Sequence, residues 1–347
     1  MRVLYAFPTT GFGHISRANE LIPVLKKYTD VDVLTSGPPL KITPPYKINY
    51  RFTGLTFVPS SKGGINFWKT FNDNSVVRLY NEIRSLNVSE YDLVLSDFEP
   101  VSAFAAQRQP QVRSIELSHQ CAVIHPKSPQ PENASRVGNF IMKNMCPSHS
   151  KVGFHFWKYD TSIHTPVIRS SVRQTEPKNN GHYCAYLPAY APDYLFDILS
   201  SIPYTKWHIF SPKISRRYEQ DNCLFHPADP HVFTHSLATC EGVMCGAGFE
   251  TPAEALFLGK KLLVIPMKHQ YEQACNGFAL QQLGVDSLTK LTQEELPELK
   301  KWVREKVPVH IPYPDQTEQL IADLLQLEIK PEFKNIIHSV PILMHNN

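Results

Sequence analysis

Apolar residues along this chain come in strand-length blocks separated by amphipathic stretches, and this β-then-α rhythm runs twice. The first block, residues 2–7 (RVLYAF), is unbroken and meets Pro8, and a glycine loop then leads into a helical stretch. Further blocks at 31–35, 91–97 and 112–117 predict a parallel sheet, because strands covered by helices on both faces read as continuous apolar runs. Pro23 removes a hydrogen bond from the first helix and predicts a kink there. The rhythm restarts with strands expected at 182–187, 206–210, 222–225, 242–244 and 261–266, and with helices at 192–201, 293–306 and 315–327. Residues 160–181 turn to Thr, Pro, Arg, Ser, Lys and Asn, the profile of a connection between domains. The expected division is a first domain at 1–165, a linker at 166–180, a second domain at 181–314, and a helix with a loosely held tail at 315–347.

Composition narrows the function classes. A length of 347 residues accommodates two α/β cores. The net charge of +3 is too small for nucleic-acid binding as the main business, although it leaves peripheral contact with an anionic membrane open. Seven cysteines, never spaced C-x-x-C, read as reduced thiols, and with no targeting or membrane-spanning run a cytoplasmic location is expected. Residues 37–75 are rich in turn formers and carry Phe52, Phe57, Phe67, Trp68 and Phe71, as either a second α/β unit or an acceptor-facing lobe.

The richest stretch for chemistry is 241–276, EGVMCGAGFETPAEALFLGKKLLVIPMKHQYEQACN. A strand ends near Met244, and Gly246, Ala247 and Gly248 let the backbone turn while leaving it open to a ligand. Thr251 fits an N-cap, Pro252 the first helical position and Gly259 the stop. Such a helix start points free N–H groups and the positive end of the dipole at one spot, which suits phosphate oxygens. Glu254, one turn in, is placed for a ribose diol. After the next strand, His269, Gln270, Glu272, Gln273 and Asn276 supply the planar polar groups that recognise sugars.

In the first half, His14 follows the first strand and Asp97 ends the strand at 91–97, so both belong at the carboxyl edge of the sheet, where open α/β folds bind ligands. On its position alone Asp97 is placed to cap the helix expected at 100–108. His119 reaches the same rim from the strand at 112–117. The loop after the first strand lacks the third glycine of the dinucleotide fingerprint, with Ser16 in its place. The following strand ends in Thr35 and Ser36 instead of an acid, which disfavours a nicotinamide or flavin enzyme. Asp30 and Asp32 form a D-x-D at a strand start and read as surface charge. His231 and His235 share a helix face without a carboxylate in register, so no metal site is expected.

The pattern G-A-G-x-x-T-x-x-E at 246–254, a strand ending in Pro266, a Gln-rich loop before Asn276, and G-F-G-H at 11–14 resemble the GT-B glycosyltransferases, in particular the MurG-like and UDP-glycosyltransferase families. The resemblance implies an α/β fold of two Rossmann-like domains facing across a cleft, with the terminal helix returning to the first. It also implies transfer of a sugar from a nucleotide diphosphate donor, UDP favoured, to an acceptor hydroxyl with inversion, no metal and no cofactor. By the same resemblance His14 is the general base and Asp97, which ends its strand in the matching way, is the carboxylate that fixes its tautomer, with Gly11 and Gly13 on the acceptor side. His119, at the same rim, ranks below His14 as acceptor-side or structural. Gly246, Ala247, Gly248 and Thr251 would face the diphosphate and Glu254 the ribose. Phe225 and His226 would line the base, and Gln270, Glu272 and Gln273 the transferred sugar. MurG-like enzymes carry Gln where this chain has Glu272. The acceptor is left open among lipid-linked sugar, polysaccharide, protein and small molecule. A nucleotide-sugar 2-epimerase and a non-catalytic nucleotide-sugar binder are the rival readings.

Overall fold

The computed structural model describes residues 1–40, 43–55 and 75–326. Phe57, Phe67, Trp68, Phe71 and the tail from Lys330 lie outside the described residues.

Two seven-stranded sheets carry the chain. The first contains β1 (Arg2–Pro8), β2 (Asp30–Ser36), β3 (Tyr50–Phe52), β4 (Leu93–Ser96), β5 (Arg113–Ser118), β6 (Ser150–Phe154) and β7 (Ile163–His164), in the order β3-β2-β1-β4-β5-β6-β7. Every pairing in it is parallel. Parallel strands need covering on both faces, and Val3 to Phe7 of β1 are fully buried in consequence. The second sheet contains β8 (His182–Tyr186), β9 (Lys206–Ser211), β10 (Tyr218–Gln220), β11 (Cys223–Pro227), β12 (Gly242–Cys245), β13 (Lys261–Val264) and β14 (Asp286–Ser287), in the order β10-β11-β9-β8-β12-β13-β14. Only the β10–β11 pair is antiparallel.

Strand order reverses direction at β1 and β4 in the first sheet and at β8 and β12 in the second. Chain leaving neighbouring strands toward opposite faces opens a crevice beyond their carboxyl ends. Helix α1 (Phe12–Leu25) leaves β1 at the first crevice, with Pro23 in its last turn. Among the remaining helices, α2 (Val76–Ser85) and α3 (Pro100–Gln107) cover the first sheet, α4 (His119–Val123) follows β5, and α5 (Arg136–Asn144) precedes β6.

The stretch expected as a linker is well tied down. It contains the short helix α6 (Ser170–Arg173), and the Lys178 and Asn180 amides donate to the carbonyls of Ala238 and Thr239 at 2.9 and 2.8 Å. In the second half, α7 (Pro192–Leu199), α8 (Pro230–Thr239), α9 (Glu250–Phe257), α10 (Tyr271–Gln282) and α11 (Leu296–Glu305) flank the sheet. The last helix, α12 (Thr317–Leu325), packs on α1 of the first half: Tyr28 donates to Glu318 at 2.6 Å and Arg113 to the Leu324 carbonyl at 3.0 Å. Among the described residues no helix is long and apolar enough to cross a membrane.

Two local expectations are corrected. The helix after the glycine turn starts at Glu250, with Phe249 at its cap and no side-chain cap bond, so Thr251 lies inside the first turn instead of capping it. The cap of α3 is Glu99, whose carboxylate accepts from the amides of Val101 at 3.0 Å and Ser102 at 2.7 Å. Asp97 is thereby released from the capping task.

Candidate active site

Between the two sheets lies a cleft of about 750 Å³, lined from the first half by Gly11, Gly13, His14, Arg17, His119 and Gln120. From the second half Gly246, Gly248, Glu250, Thr251, Gln270, Glu272 and Gln273 line it.

On the first side the geometry follows from two adjacent strands. Ala6 of β1 pairs with Ser96 of β4, so the loops after them emerge together. Phe98 takes φ 57°, a left-handed conformation uncommon outside glycine, in the turn that carries Asp97 and Glu99. The His14 Nδ1 atom lies 3.0 Å from Asp97 Oδ1. Asp97 is fully buried and gripped by the fork of Arg17, Nε to Oδ2 at 3.0 Å and Nη2 to Oδ1 at 2.8 Å. Burial by itself would raise the Asp97 carboxyl, but Arg17 and His14 outweigh it and hold the group below its ordinary value. A carboxylate kept ionised behind Nδ1–H fixes the tautomer, leaves Nε2 free to take a proton, and stabilises the resulting imidazolium.

The remaining Arg17 nitrogen, Nη1, crosses to Glu250 Oε1 at 2.8 Å. Burial, reinforced by Glu254 and Asp97 and opposed by Arg17, pushes the Glu250 carboxyl up to about 8. His119 is buried, stacked on Phe249 at 3.9 Å, and hydrogen-bonded to the Phe154 carbonyl at 2.8 Å and Asn276 Oδ1 at 2.9 Å. Burial pushes its ring below the ordinary histidine value, and both ring nitrogens are occupied within the protein.

On the second side, Cys245 of β12 pairs with Tyr186 of β8, and the loops after these two strands form the opposite wall. A Cβ added at Gly248 would meet nothing within 4 Å, so this backbone is open to the cleft. Gln273 Oε1 accepts from the Met267 amide at 2.9 Å, and Gln120 Nε2 donates across the cleft to Glu272 Oε2 at 3.1 Å.

Four expected donor residues do not line the cleft. Glu254 is buried, and both its oxygens are taken by Arg169, Nε to Oε1 at 2.5 Å and Nη2 to Oε2 at 2.7 Å. Ala247 is fully buried, its carbonyl accepting from Asn276 Nδ2 at 3.1 Å. Phe225 stacks on Tyr218 at 4.5 Å and His226 on Phe210 at 4.7 Å. Their strand, β11, pairs with β9 and β10, which puts it away from the β8–β12 crevice.

Arg17, Glu250 and Gln120 had no assigned role in the sequence. For Arg17 a signal existed: it follows His14 by three residues on a helix, so the two share a face. Asp32 of the D-x-D pairs with Arg2 at 2.7 Å at the opposite end of β2, away from the cleft. Among the described residues no group of three or more His, Cys, Asp or Glu side chains is placed to hold a metal ion.

This two-sheet architecture with a shared cleft is that of the GT-B glycosyltransferases, and the enzyme is a glycosyltransferase. The chain belongs to the family described as Glycosyl transferase family 1, whose model matches residues 1–308. Among solved structures it is similar to the glycosyltransferase SnogD from Streptomyces nogalater, at 15% identity and a TM-score of 0.53 over 94% of this chain and 99% of that one. It is similar to Phytolacca americana UGT2, solved with UDP-2fluoro-glucose and pterostilbene, at 12% identity and a TM-score of 0.54 over 94% of each chain. Acinetobacter baumannii MurG matches at 11% identity and a TM-score of 0.52, over 94% of this chain and 99% of that one. None of the curated proteins compared matches the chain.

Proposed function

We propose that the enzyme moves a sugar from a nucleoside diphosphate donor, with UDP preferred, to an acceptor hydroxyl, inverting the anomeric carbon without a metal ion. His14 Nε2 takes the acceptor proton, the acceptor oxygen forms a bond to the sugar C1, and the C1–O bond to the diphosphate breaks with its electron pair leaving on phosphate. Asp97 holds His14 and stabilises its cationic form. The amides at the start of α9, together with Arg17, stabilise the departing diphosphate. Gly246, Gly248 and Thr251 face that group, while Gln270, Glu272 and Gln273 face the transferred sugar. Gly11, Gly13 and His119 lie on the acceptor side. Seven buried free thiols support a cytoplasmic setting.

The observation that carries this reading is the meeting of the His14–Asp97 pair and the open backbone at Gly248 in one cleft. Support for the donor class comes from the Phytolacca neighbour solved with a UDP-sugar and from a spinosyn rhamnosyltransferase solved with thymidine diphosphate. The test is a thermal-shift panel of nucleoside diphosphates and nucleotide sugars, followed by release of diphosphate from the best donor with and without candidate alcohols. A His14→Ala variant is expected to keep the thermal shift and lose acceptor-dependent release. Retained release would remove the base role, and release that never depends on an alcohol would remove transfer.

A further inference from the structure

Glu250 stands where the proposed donor site should least welcome a carboxylate. It opens α9, on the wall expected to receive two phosphates, and it lines the cleft. Its Oε1 is held by Arg17, while among the described residues no hydrogen bond engages Oε2. The side chain also fills the space over Gly13, where an added Cβ would meet Glu250 Cγ at 3.1 Å and Oε1 at 3.3 Å. The surroundings are crowded with charge: Asp97 and His14 from the first half, and Glu254 with its partner Arg169 behind α9. Tyr5 is a further titratable group close to Glu250, and Arg169 faces Glu20 as well as Glu254 and Glu250. Arg17 is thus shared between two carboxylates, and nearby Gln120 has its Oε1 buried without a partner.

Resting on the donor-site reading above, we propose that Glu250 takes up a proton when the diphosphate of the donor binds, so that the Arg17 charge it had neutralised is handed to the phosphates. The proton comes from solvent and lands on the free Oε2. The upward push on this carboxyl, to about 8, points the same way: above that pH the group is ionised, and little further negative charge is needed to protonate it. Glu250 is a positioning residue in this scheme: it decides how much of the Arg17 charge the ligand meets.

The test is calorimetric titration of the full-length enzyme with UDP, dTDP, GDP and inorganic pyrophosphate, in buffers of different ionisation enthalpy, beside Glu250→Gln. The difference in protons taken up between the two proteins isolates Glu250 from the ligand's own titration. At about pH 9, where the carboxyl at about 8 is ionised before the ligand binds, wild type is expected to take up close to one proton more than Glu250→Gln. Its affinity should fall toward about tenfold per pH unit once the solution is more alkaline than the carboxyl, while Glu250→Gln stays flat and binds at least as tightly. Equal proton uptake at about pH 9, or a wild-type affinity that does not change from about pH 7 to about pH 9.5, overturns the inference and leaves the donor site standing. The wild-type pH series stands even if the variant does not fold. No binding of any of the four ligands overturns the donor site, and this inference with it.

Discussion

Arg17 grips Asp97 with two nitrogens while Asp97 Oδ1 also lies 3.0 Å from His14 Nδ1, so one buried carboxylate serves an arginine and a histidine at once. The arginine keeps the carboxylate ionised, and the carboxylate orients the imidazole. Asp97→Asn preserves shape but presents either an amide donor or a weaker acceptor to Nδ1. Turnover is expected to fall roughly 10²–10⁴-fold with little change in diphosphate affinity. Steady-state rates beside a binding isotherm check this, and a variant that loses affinity while keeping its turnover number would refute it.

Gly248 and Gly277 predict opposite outcomes for the same substitution. At Gly248 an added methyl meets nothing within 4 Å, whereas at Gly277 it would stand 2.8 Å from Pro266 Cγ. Gly248→Ala should leave the melting temperature in place and weaken diphosphate binding, because the methyl occupies the approach to the backbone amides. Gly277→Ala should lower stability by about 1–3 kcal/mol through overpacking. Thermal melts with and without the ligand separate the two.

The Arg169–Glu254 pair predicts a stability effect where the sequence pattern predicts a ligand contact. The carboxylate is nearly inaccessible and both oxygens are committed. Removing Arg169 leaves an uncompensated buried charge, at about 3 kcal/mol. The Arg169→Leu and Glu254→Leu double variant should recover part of that loss. If Arg169→Leu melts like wild type, the clamp is not structural.

A stack of histidines in the second sheet sets an acid limit. His182 and His208 lie 3.9 Å apart, His226 is 5.4 Å beyond, and both His182 and His208 reach the Ser236 hydroxyl. Burial and mutual repulsion push His208 down to about 3, and burial lowers His182 and His226 as well. The unfolded chain therefore binds protons more readily than the folded one. Stability from these groups is complete above the ordinary histidine value of 6.5 and drains away as the pH falls below it. His208→Phe should flatten the acid side of a stability-versus-pH curve, and an unchanged curve would show that other groups set it.

Much of this architecture was legible in the chain because parallel strands buried on both faces leave unbroken apolar runs, as at β1 and β4. His14 and Asp97 were legible too, since a residue just past a parallel strand lies at the carboxyl edge whatever its neighbours do. Glu254 was not. Its helix position invites a ligand, and only the three-dimensional course of the linker brings Arg169, 85 residues away, onto it. Phe225 and His226 were misplaced for a topological reason, since strand order and not sequence order decides which loops share the crevice. Glu250 needed both halves of the chain, for its partner Arg17 is 233 residues distant.

All seven cysteines are buried, and burial pushes Cys121 and Cys223 up to about 12 and Cys275 to about 11. Maleimide and iodoacetamide attack thiolates, so the folded enzyme presents them with almost no native target. A dye or spin label on one introduced exterior cysteine in each half would then mark the molecule at two chosen points alone. The distance between those two points can thus be measured by spectroscopy without first stripping out a single natural sulfhydryl.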